Sequence, residues 1–330
     1  MAHGIYTKRD FQISEEMQWH KLTTLAKPTR ESFPEIKGMP LFYGENMPAN
    51  HGDNKYVVPV ASDDSLPVAP PYCAGSYSLF TPREAWDWVN EVLAGTGYNI
   101  KSTGMLWNRS FWFIGVELEE LKALSVGDGR ESKFQFNFSG GLDRKVSPQA
   151  ELSSILPVCW NTISLSRTMG EMLFGARLTS KFKTHLDAAK AEVEKSVGMA
   201  AVFKKAMDSL STKPCKADRA KRIFAGYLTP EDDDKMSTRT KNTVETLAEL
   251  HVKGLGNRGE TEFDMLNSFT ELLTRGTSDS KLSEGKRFVS SEFGGNADDK
   301  AGFARLLTKE RMRLPAIEDR GEKLLTVSIN

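Results

Sequence analysis

Two hydrophobic patterns divide the chain into a β-rich middle and a helical second half. Residues 133–138 alternate polar and aromatic side chains, which places three phenylalanines on one face of a strand. Residues 110–119 form a second aromatic and β-branched run, and residues 139–143 supply a turn. A returning strand through residues 147–155 completes the pattern. The middle of the chain therefore predicts an antiparallel sheet.

Helical spacing of apolar residues appears before and after this sheet. Thr81, Pro82 and Glu84 form a capping box with proline at the first helical position, and Gly95 fits the end of that helix. From about residue 164 the pattern becomes helical, so the fold class is α+β: an antiparallel β-sheet with packed helices, followed by a largely helical C-terminal half. The later helices are predicted over residues 177–195, 201–210, 238–251, 262–274 and 298–311.

Three segments follow from these patterns. Residues 1–75 lack periodicity and end in a proline-rich polar stretch, which is typical of an N-terminal arm or small subdomain with an extended connector. Residues 76–165 form the mainly antiparallel β region, and residues 166–330 form the helical region.

Composition places the protein in the cytoplasm. The start of the chain has no apolar signal region, and no apolar run approaches the roughly 20 residues of a membrane span. The 330 residues contain three cysteines, which are widely spaced and form no C-x-x-C pair. We therefore expect reduced thiols and a cytoplasmic location.

The net charge argues against a protein coated in positive charge. Lys plus Arg and Asp plus Glu both number 44. Charge is nevertheless unevenly distributed, since residues 166–225 contain 13 Lys or Arg and six Asp or Glu. Binding of a polyanion depends on such a local excess rather than on the total.

No catalytic, cofactor or metal constellation is recognisable. Gly254, Gly256 and Gly259 match the spacing of a dinucleotide-binding loop, but a predicted helix precedes them and carboxylates crowd the next helix start. The segment is therefore interpreted as an interhelical turn. No histidine pair has zinc-ligand spacing. We predict a protein that binds rather than an enzyme, with no catalytic, cofactor or metal residues.

A basic helical face beside an aromatic sheet is the main positive signal. Arg177, Lys181 and His185 follow one another at intervals of four residues and share a helix face. Single strands are held by such cations together with aromatic stacking platforms. The alternative is a solvated helix face above a sheet whose aromatic residues form the core. The predicted nucleic-acid-binding residues are Arg167, Arg177, Lys181, Lys183, His185, Lys190 and Trp112.

Several blocks of the sequence resemble a known family. The segment GETEFDMLNSFTE at residues 259–271 is similar to the G-x-T-x-W-x-x-x-N-x-x-T-E pattern of the phage/plasmid-like protein family known as domain of unknown function 932. Leu178 and Phe263 depart from that family, which has histidine and tryptophan there. Further similar blocks are EMQWH at 16–20, PVCWNT at 157–162, RLT at 177–179, RF at 287–288, FG at 293–294 and Lys300.

The resemblance implies a mobile-element origin among accessory genes that often handle DNA, and it supplies no established activity. The roles of Asn161, Asn267 and Thr270 stay open. A sheet followed by a long basic helix is loosely similar to the core of single-strand-annealing recombinases. The first hypothesis is therefore a homo-oligomeric phage or plasmid protein that binds and anneals single-stranded DNA in replication or recombination. The alternatives are a host-interaction or anti-defence protein that binds a protein partner and, third, a metal-dependent nuclease.

Overall fold

The computed structural model of the chain consists of two compact units. The sheet unit contains residues 1–119, 135–152 and 172–198, and the helical unit contains residues 120–134, 153–171 and 199–330. The residues that the structure describes are 11–14, 28–43, 47–48, 50–51, 54–73, 79–106, 109–118, 125–126, 130–131, 133–144, 146–156, 161–164, 167–168, 174–175, 186–275, 290–291 and 295–327.

The strands lie mainly in the first half of the chain. Their bounds are β1 Phe11–Ser14, β2 Ile36–Pro40, β3 Phe42–Tyr43, β4 Met47–Pro48, β5 Asn50–His51, β6 Asn54–Ala61, β7 Tyr72–Cys73, β8 Asn99–Leu106, β9 Phe111–Glu117, β10 Ser125–Val126, β11 Arg130–Glu131, β12 Lys133–Gly141, β13 Gln149–Leu156, β14 Asn161–Ser164 and β15 Phe174–Gly175.

The α-helices lie mainly in the second half. Their bounds are α1 Pro82–Leu93, α2 Leu186–Ser211, α3 Ala217–Leu228, α4 Thr238–Lys253, α5 Glu262–Arg275, α6 Gly295–Thr308 and α7 Leu314–Val327. The predicted α+β class is confirmed.

The sheet unit is built on antiparallel strands in the order β1-β8-β9-β12-β13. Phe136 lies opposite Val116, and Phe138 lies opposite Ile114, so these residues share one face of the sheet. The predicted strands at 110–119, 133–138 and 147–155 are confirmed, although β12 continues to Gly141 and the turn therefore begins later than expected. In the helical unit, residues 153–156 of β13 pair with β14.

Helix α1 covers the aromatic face of the sheet and begins as the sequence predicts. Thr81 accepts a hydrogen bond from the backbone N–H of Glu84, and the Glu84 carboxylate accepts one from the backbone N–H of Thr81 at 2.9 Å. Trp88 packs edge-on against Phe138 at a centroid distance of 5.7 Å. Burial of these rings fixes the helix on the sheet.

A smaller sheet lies within the first 75 residues, where no strand was predicted. It has the order β2-β6-β5, and β7 also pairs with β6. Pro59 interrupts the apolar run of β6 and lies opposite Gly38. The interruption explains why the sequence pattern did not reveal this strand.

The core of the helical unit contains an aromatic stack. Phe303 of α6 stacks on Phe269 of α5 at 4.4 Å and on Phe224 of α3 at 5.8 Å, and Tyr227 contacts Phe303 edge-on at 4.9 Å. All three helices are therefore tied together at one point.

The predicted helices at 238–251 and 262–274 are confirmed, and α6 begins at Gly295, slightly before the predicted start. The segments predicted at 177–195 and 201–210 are described as one helix from Leu186. Helices α3 and α7 were not predicted. Among the described residues, no helix has an apolar stretch long enough to cross a lipid bilayer.

Candidate nucleic-acid interface

Most residues of the predicted basic face lie outside the described parts of the chain. Arg177, Lys181, Lys183 and His185 are outside the described residues. Lys190 lies in α2. The proposed alignment of these side chains therefore stays a prediction.

Arg167 is held in an ion pair within the helical unit. Its Nη1 donates to the Asp298 carboxylate at 2.7 Å, and its backbone carbonyl accepts a hydrogen bond from Arg305 at 2.5 Å. Only 19% of the Arg167 side chain is exposed. To contact a phosphate, the guanidinium would have to share or leave Asp298.

Trp112 is part of the core of the sheet unit. It is 2% exposed, and its ring packs against Phe80 at a centroid distance of 5.8 Å. A Cβ added to Gly140, directly across from it, would lie 2.6 Å from the indole ring. An indole enclosed in this way packs as a core side chain and offers no open face for a base.

The other face of the same sheet is polar and buried. Strand register places Gly115 between Ser102 and Asn137, and places Glu117 opposite Gln135. Gln135 is 9% exposed, and its Nε2 has no hydrogen-bond partner among the described residues. Buried amides normally find such partners, so Gln135 is an exception on this face, which is lined by polar rather than apolar side chains.

No group of three or more His, Cys, Asp or Glu side chains within the described parts of the chain is arranged to hold a metal ion.

A second polar group lies in the helical unit, around a buried carboxylate. Glu262, at the start of α5, is 1% exposed. It accepts hydrogen bonds from Arg219 Nη1 at 3.1 Å and from Arg311 Nη1 and Nη2 at 2.5 and 3.1 Å. Arg219 also donates to Glu318 at 3.1 Å. We refer to Lys213, Arg219, Glu262, Arg311 and Glu318 as the Glu262 cluster.

Lys213 joins this cluster through the backbone. Its carbonyl accepts a hydrogen bond from the N–H of Glu262 at 3.0 Å. Burial lowers the pKa of the Lys213 ammonium, and the nearby charge of Arg311 lowers that pKa further. The negative charge of Glu262 raises this pKa, but by less than burial and Arg311 together lower it. The charged form of Lys213 is therefore less stable here than in water, mainly because the side chain is partly buried.

Sequence reasoning found only part of this cluster. Lys213 and Arg219 lie in the segment whose positive excess was recognised, but Arg311 is 49 residues from Glu262 and on another element. No local pattern connects such distant side chains. Their proximity becomes visible only once the helices are packed.

The glycine-rich segment 254–259 joins α4 to α5, which fits the predicted interhelical turn. Asn267 donates to the Leu255 carbonyl at 3.1 Å and to Asn257 Oδ1 at 2.7 Å. Glu271 accepts a hydrogen bond from the backbone N–H of Leu255 at 3.1 Å. The Glu271 carboxylate of α5 thus occupies the backbone N–H of Leu255, one of the donors that a bound pyrophosphate would need.

Comparison with known families identifies the chain. The sequence profile of the family described as Domain of unknown function (DUF932) matches residues 73–309. The chain belongs to the DUF932 family. No curated protein and no solved structure matches the chain significantly.

The DUF932-like block at 259–271 has a structural explanation in this fold. Gly259 adopts a φ of +75°, which glycine accommodates without strain. Asp264 accepts hydrogen bonds from the backbone and hydroxyl of Thr261 at 3.0 and 2.9 Å. Thr270 donates to the Asn267 carbonyl at 2.9 Å. Together with the Asn267 and Glu271 contacts, these bonds cap α5 and hold the preceding turn.

The other similar blocks are described only in part. Asn161 and Thr162 lie in β14. Lys300 is fully buried in α6, where its ammonium donates to the Ser291 carbonyl at 3.3 Å and to the Ser291 hydroxyl. Residues 16–20, 157–160, 177–179, 287–288 and 293–294 are outside the described residues.

Proposed function

We propose that this DUF932 protein is a non-enzymatic phage or plasmid accessory protein that binds and anneals single-stranded DNA. In this proposal it works as a homo-oligomer in replication or recombination, in the cytoplasm of the host cell. The bound strand is recognised through its phosphates, without reading of sequence.

The order of the elements is the observation that carries the proposal. The antiparallel strands β8, β9, β12 and β13 are followed by α2, a helix of 26 residues. Single-strand-annealing recombinases have a core of similar order, and the analogy is at the level of the fold.

The distribution of charge supports the same function and refines its location. Helix α2 itself contains four lysines and four acidic residues, so it contributes no net charge. The excess comes from residues 166–185, with four Lys or Arg and one acidic residue, and from residues 212–225, with five Lys or Arg and one acidic residue. Cations on both sides of α2 would contact the strand.

Binding of a fluorescent single-stranded oligonucleotide of about 40 nucleotides, several binding sites long, tests the proposal. We expect a rise in anisotropy at about 50 mM salt that weakens steeply towards about 200 mM, because each phosphate contact releases counterions. Oligonucleotides of different sequence should bind with similar affinity.

Annealing and cleavage are measured in the same mixtures. Complementary strands should pair faster with the protein than without it, and both strands should stay intact when Mg²⁺ or Mn²⁺ is added. Absence of any anisotropy change at low salt would overturn the proposal, and metal-dependent cleavage would favour a nuclease instead.

A further inference from the structure

Two cations of the Glu262 cluster, Arg219 and Arg311, bind a single fully buried carboxylate, and Lys213 is joined to Glu262 through its backbone carbonyl. Glu318 is shared, since it also accepts a hydrogen bond from Arg222 at 2.8 Å. Lys213 has no ion-pair partner among the described residues. The acidic neighbours in sequence, Asp218 and Glu260, make no ion pair with these cations in the described structure.

We propose that Lys213, Arg219 and Arg311 form a phosphate-binding site, which, on the basis of the proposed function, holds a backbone phosphate of single-stranded DNA. These three side chains would make one of the phosphate contacts that binding of single-stranded DNA requires.

Both arginines have a donor nitrogen without a hydrogen-bond partner among the described residues. The hydrogen bonds of Arg219 use its Nε and Nη1, so its Nη2 has no partner among the described residues. The hydrogen bonds of Arg311 use Nη1 and Nη2, so its Nε also has no partner among the described residues. A guanidinium has five N–H donors, and the remaining ones can bind phosphate oxygens.

The three side chains are exposed enough to be accessible and buried enough for their electrostatic interactions to be strengthened. Arg219 and Arg311 are 31% and 33% exposed, and Lys213 is half-buried. An anion can reach side chains exposed to this degree, and ion pairs there are less screened than at a fully exposed surface.

Backbone hydrogen bonds fix the segment that carries Lys213 beside the start of α5. The N–H of Cys215 donates to the Glu260 carbonyl at 2.7 Å, next to the bond between Glu262 and Lys213. The segment before α3 therefore lies along the start of α5. Glu262 then orients both guanidinium groups, so little conformational entropy is lost when an anion binds.

The start of α3 adds to the positive potential. Its N-cap residue, Lys216, makes no side-chain capping hydrogen bond. The first backbone N–H groups of a helix carry the positive end of its dipole. Here they lie on the same short segment as Lys213 and Arg219, and Asp218 in this first turn offsets part of their positive potential.

Substitution of the unpaired lysine tests the site. Lys213→Ala should weaken binding of the oligonucleotide roughly five-fold at low salt and reduce the slope of log affinity against log salt by about 0.7, the value for one phosphate contact to a single strand. Thermal stability should be unchanged, because the lysine stabilises no described ion pair. The exposed Lys323→Ala, on α7, is the matched control and should leave affinity and slope unaltered.

Inorganic phosphate distinguishes the two possible sources of the ligand. If millimolar phosphate raises the melting temperature of the wild type but not of Lys213→Ala, the anion site stands even when no oligonucleotide binds, and only the proposed function fails. If the oligonucleotide binds wild type, Lys213→Ala and Lys323→Ala equally, with equal salt slopes, the site is overturned and the proposed function stands. Absence of both phosphate and oligonucleotide binding would overturn both.

Discussion

At the scale of single residues, Glu262 connects stability to the proposed site. Its carboxylate is 1% exposed and accepts hydrogen bonds from two arginines that are each about one-third exposed. A buried carboxylate is stable only because these partners replace its water shell. The same contacts fix the guanidinium groups of the proposed phosphate site.

Glu262→Ala should therefore destabilise the protein. We expect a loss of about 2 kcal/mol in the free energy of unfolding, which is below the range for a fully buried pair because the arginines stay partly hydrated. Urea unfolding measures this loss. Glu245→Gln, which breaks the exposed pair with Lys221, is the control and should change stability by less than about 0.5 kcal/mol. Equal effects of the two substitutions would contradict the structural role of Glu262.

Cys215 gives a second residue-scale prediction. Burial raises the pKa of its thiol to about 12, from an ordinary value of 9.0. The folded state therefore prefers the protonated thiol, so its contribution to stability is complete below about pH 9 and is lost as the pH rises towards 12.

Between pH 9 and pH 11 the wild type should lose stability faster than Cys215→Ala, by up to about 1.4 kcal/mol per pH unit. Unfolding curves of both proteins across this range provide the comparison, in which the other titrating groups cancel. Parallel pH profiles would show that the thiol is not buried as described.

At the scale of elements, α3 and α7 approach each other closely at two glycines. A Cβ added to Gly226 would lie 2.0 Å from the Ile317 carbonyl oxygen, and one added to Gly321 would lie 1.8 Å from the Arg222 carbonyl oxygen. Real atoms do not approach so closely, so any larger residue must push the helices apart.

Gly226→Ala and Gly321→Ala should each cost about 3 kcal/mol, because the backbone of the partner helix cannot move aside like a side chain. The matched control is Gly198→Ala in α2, where an added Cβ meets nothing within 4 Å. That substitution should stabilise the helix by about 0.5–1 kcal/mol. Thermal or urea unfolding distinguishes these opposite signs, and a stabilising effect at Gly226 would contradict the described packing.

The difference between local and distant signals explains what the sequence could predict at this scale. Helix α1 was predicted because Thr81, Pro82 and Glu84 lie within four residues and each has a defined role at a helix start. Strands β9, β12 and β13 were predicted from alternation. Strand β6 was missed because Pro59 interrupts it, and α3 and α7 were missed because each contains a glycine, Gly226 or Gly321, which is a weak helix former.

The candidate site is harder still to predict from the sequence, because its residues are far apart along the chain. The sequence revealed the positive excess that contains Lys213 and Arg219, but it could not reveal that Arg311 joins them at Glu262. The sequence also predicted Trp112 as a binding residue, although the fold packs it into the core. An aromatic residue gives the same strand pattern whether its face of the sheet is buried or open to a ligand. Packing alone decides which of these side chains can contact a ligand.

At the scale of the whole molecule, the protein is a DUF932 chain of α+β class with zero formal charge. Such a chain can hold a polyanion only through local groups of cations, and several subunits along one strand would add their contacts. The proposed function therefore requires an assembly that carries single-stranded DNA.

Native mass measurement with and without single-stranded DNA tests this central claim most directly. We predict a homo-oligomer whose mass increases by that of bound strand at low salt and returns to the protein mass at high salt. A monomer of 36.8 kDa that shows the same mass in both conditions would contradict the account.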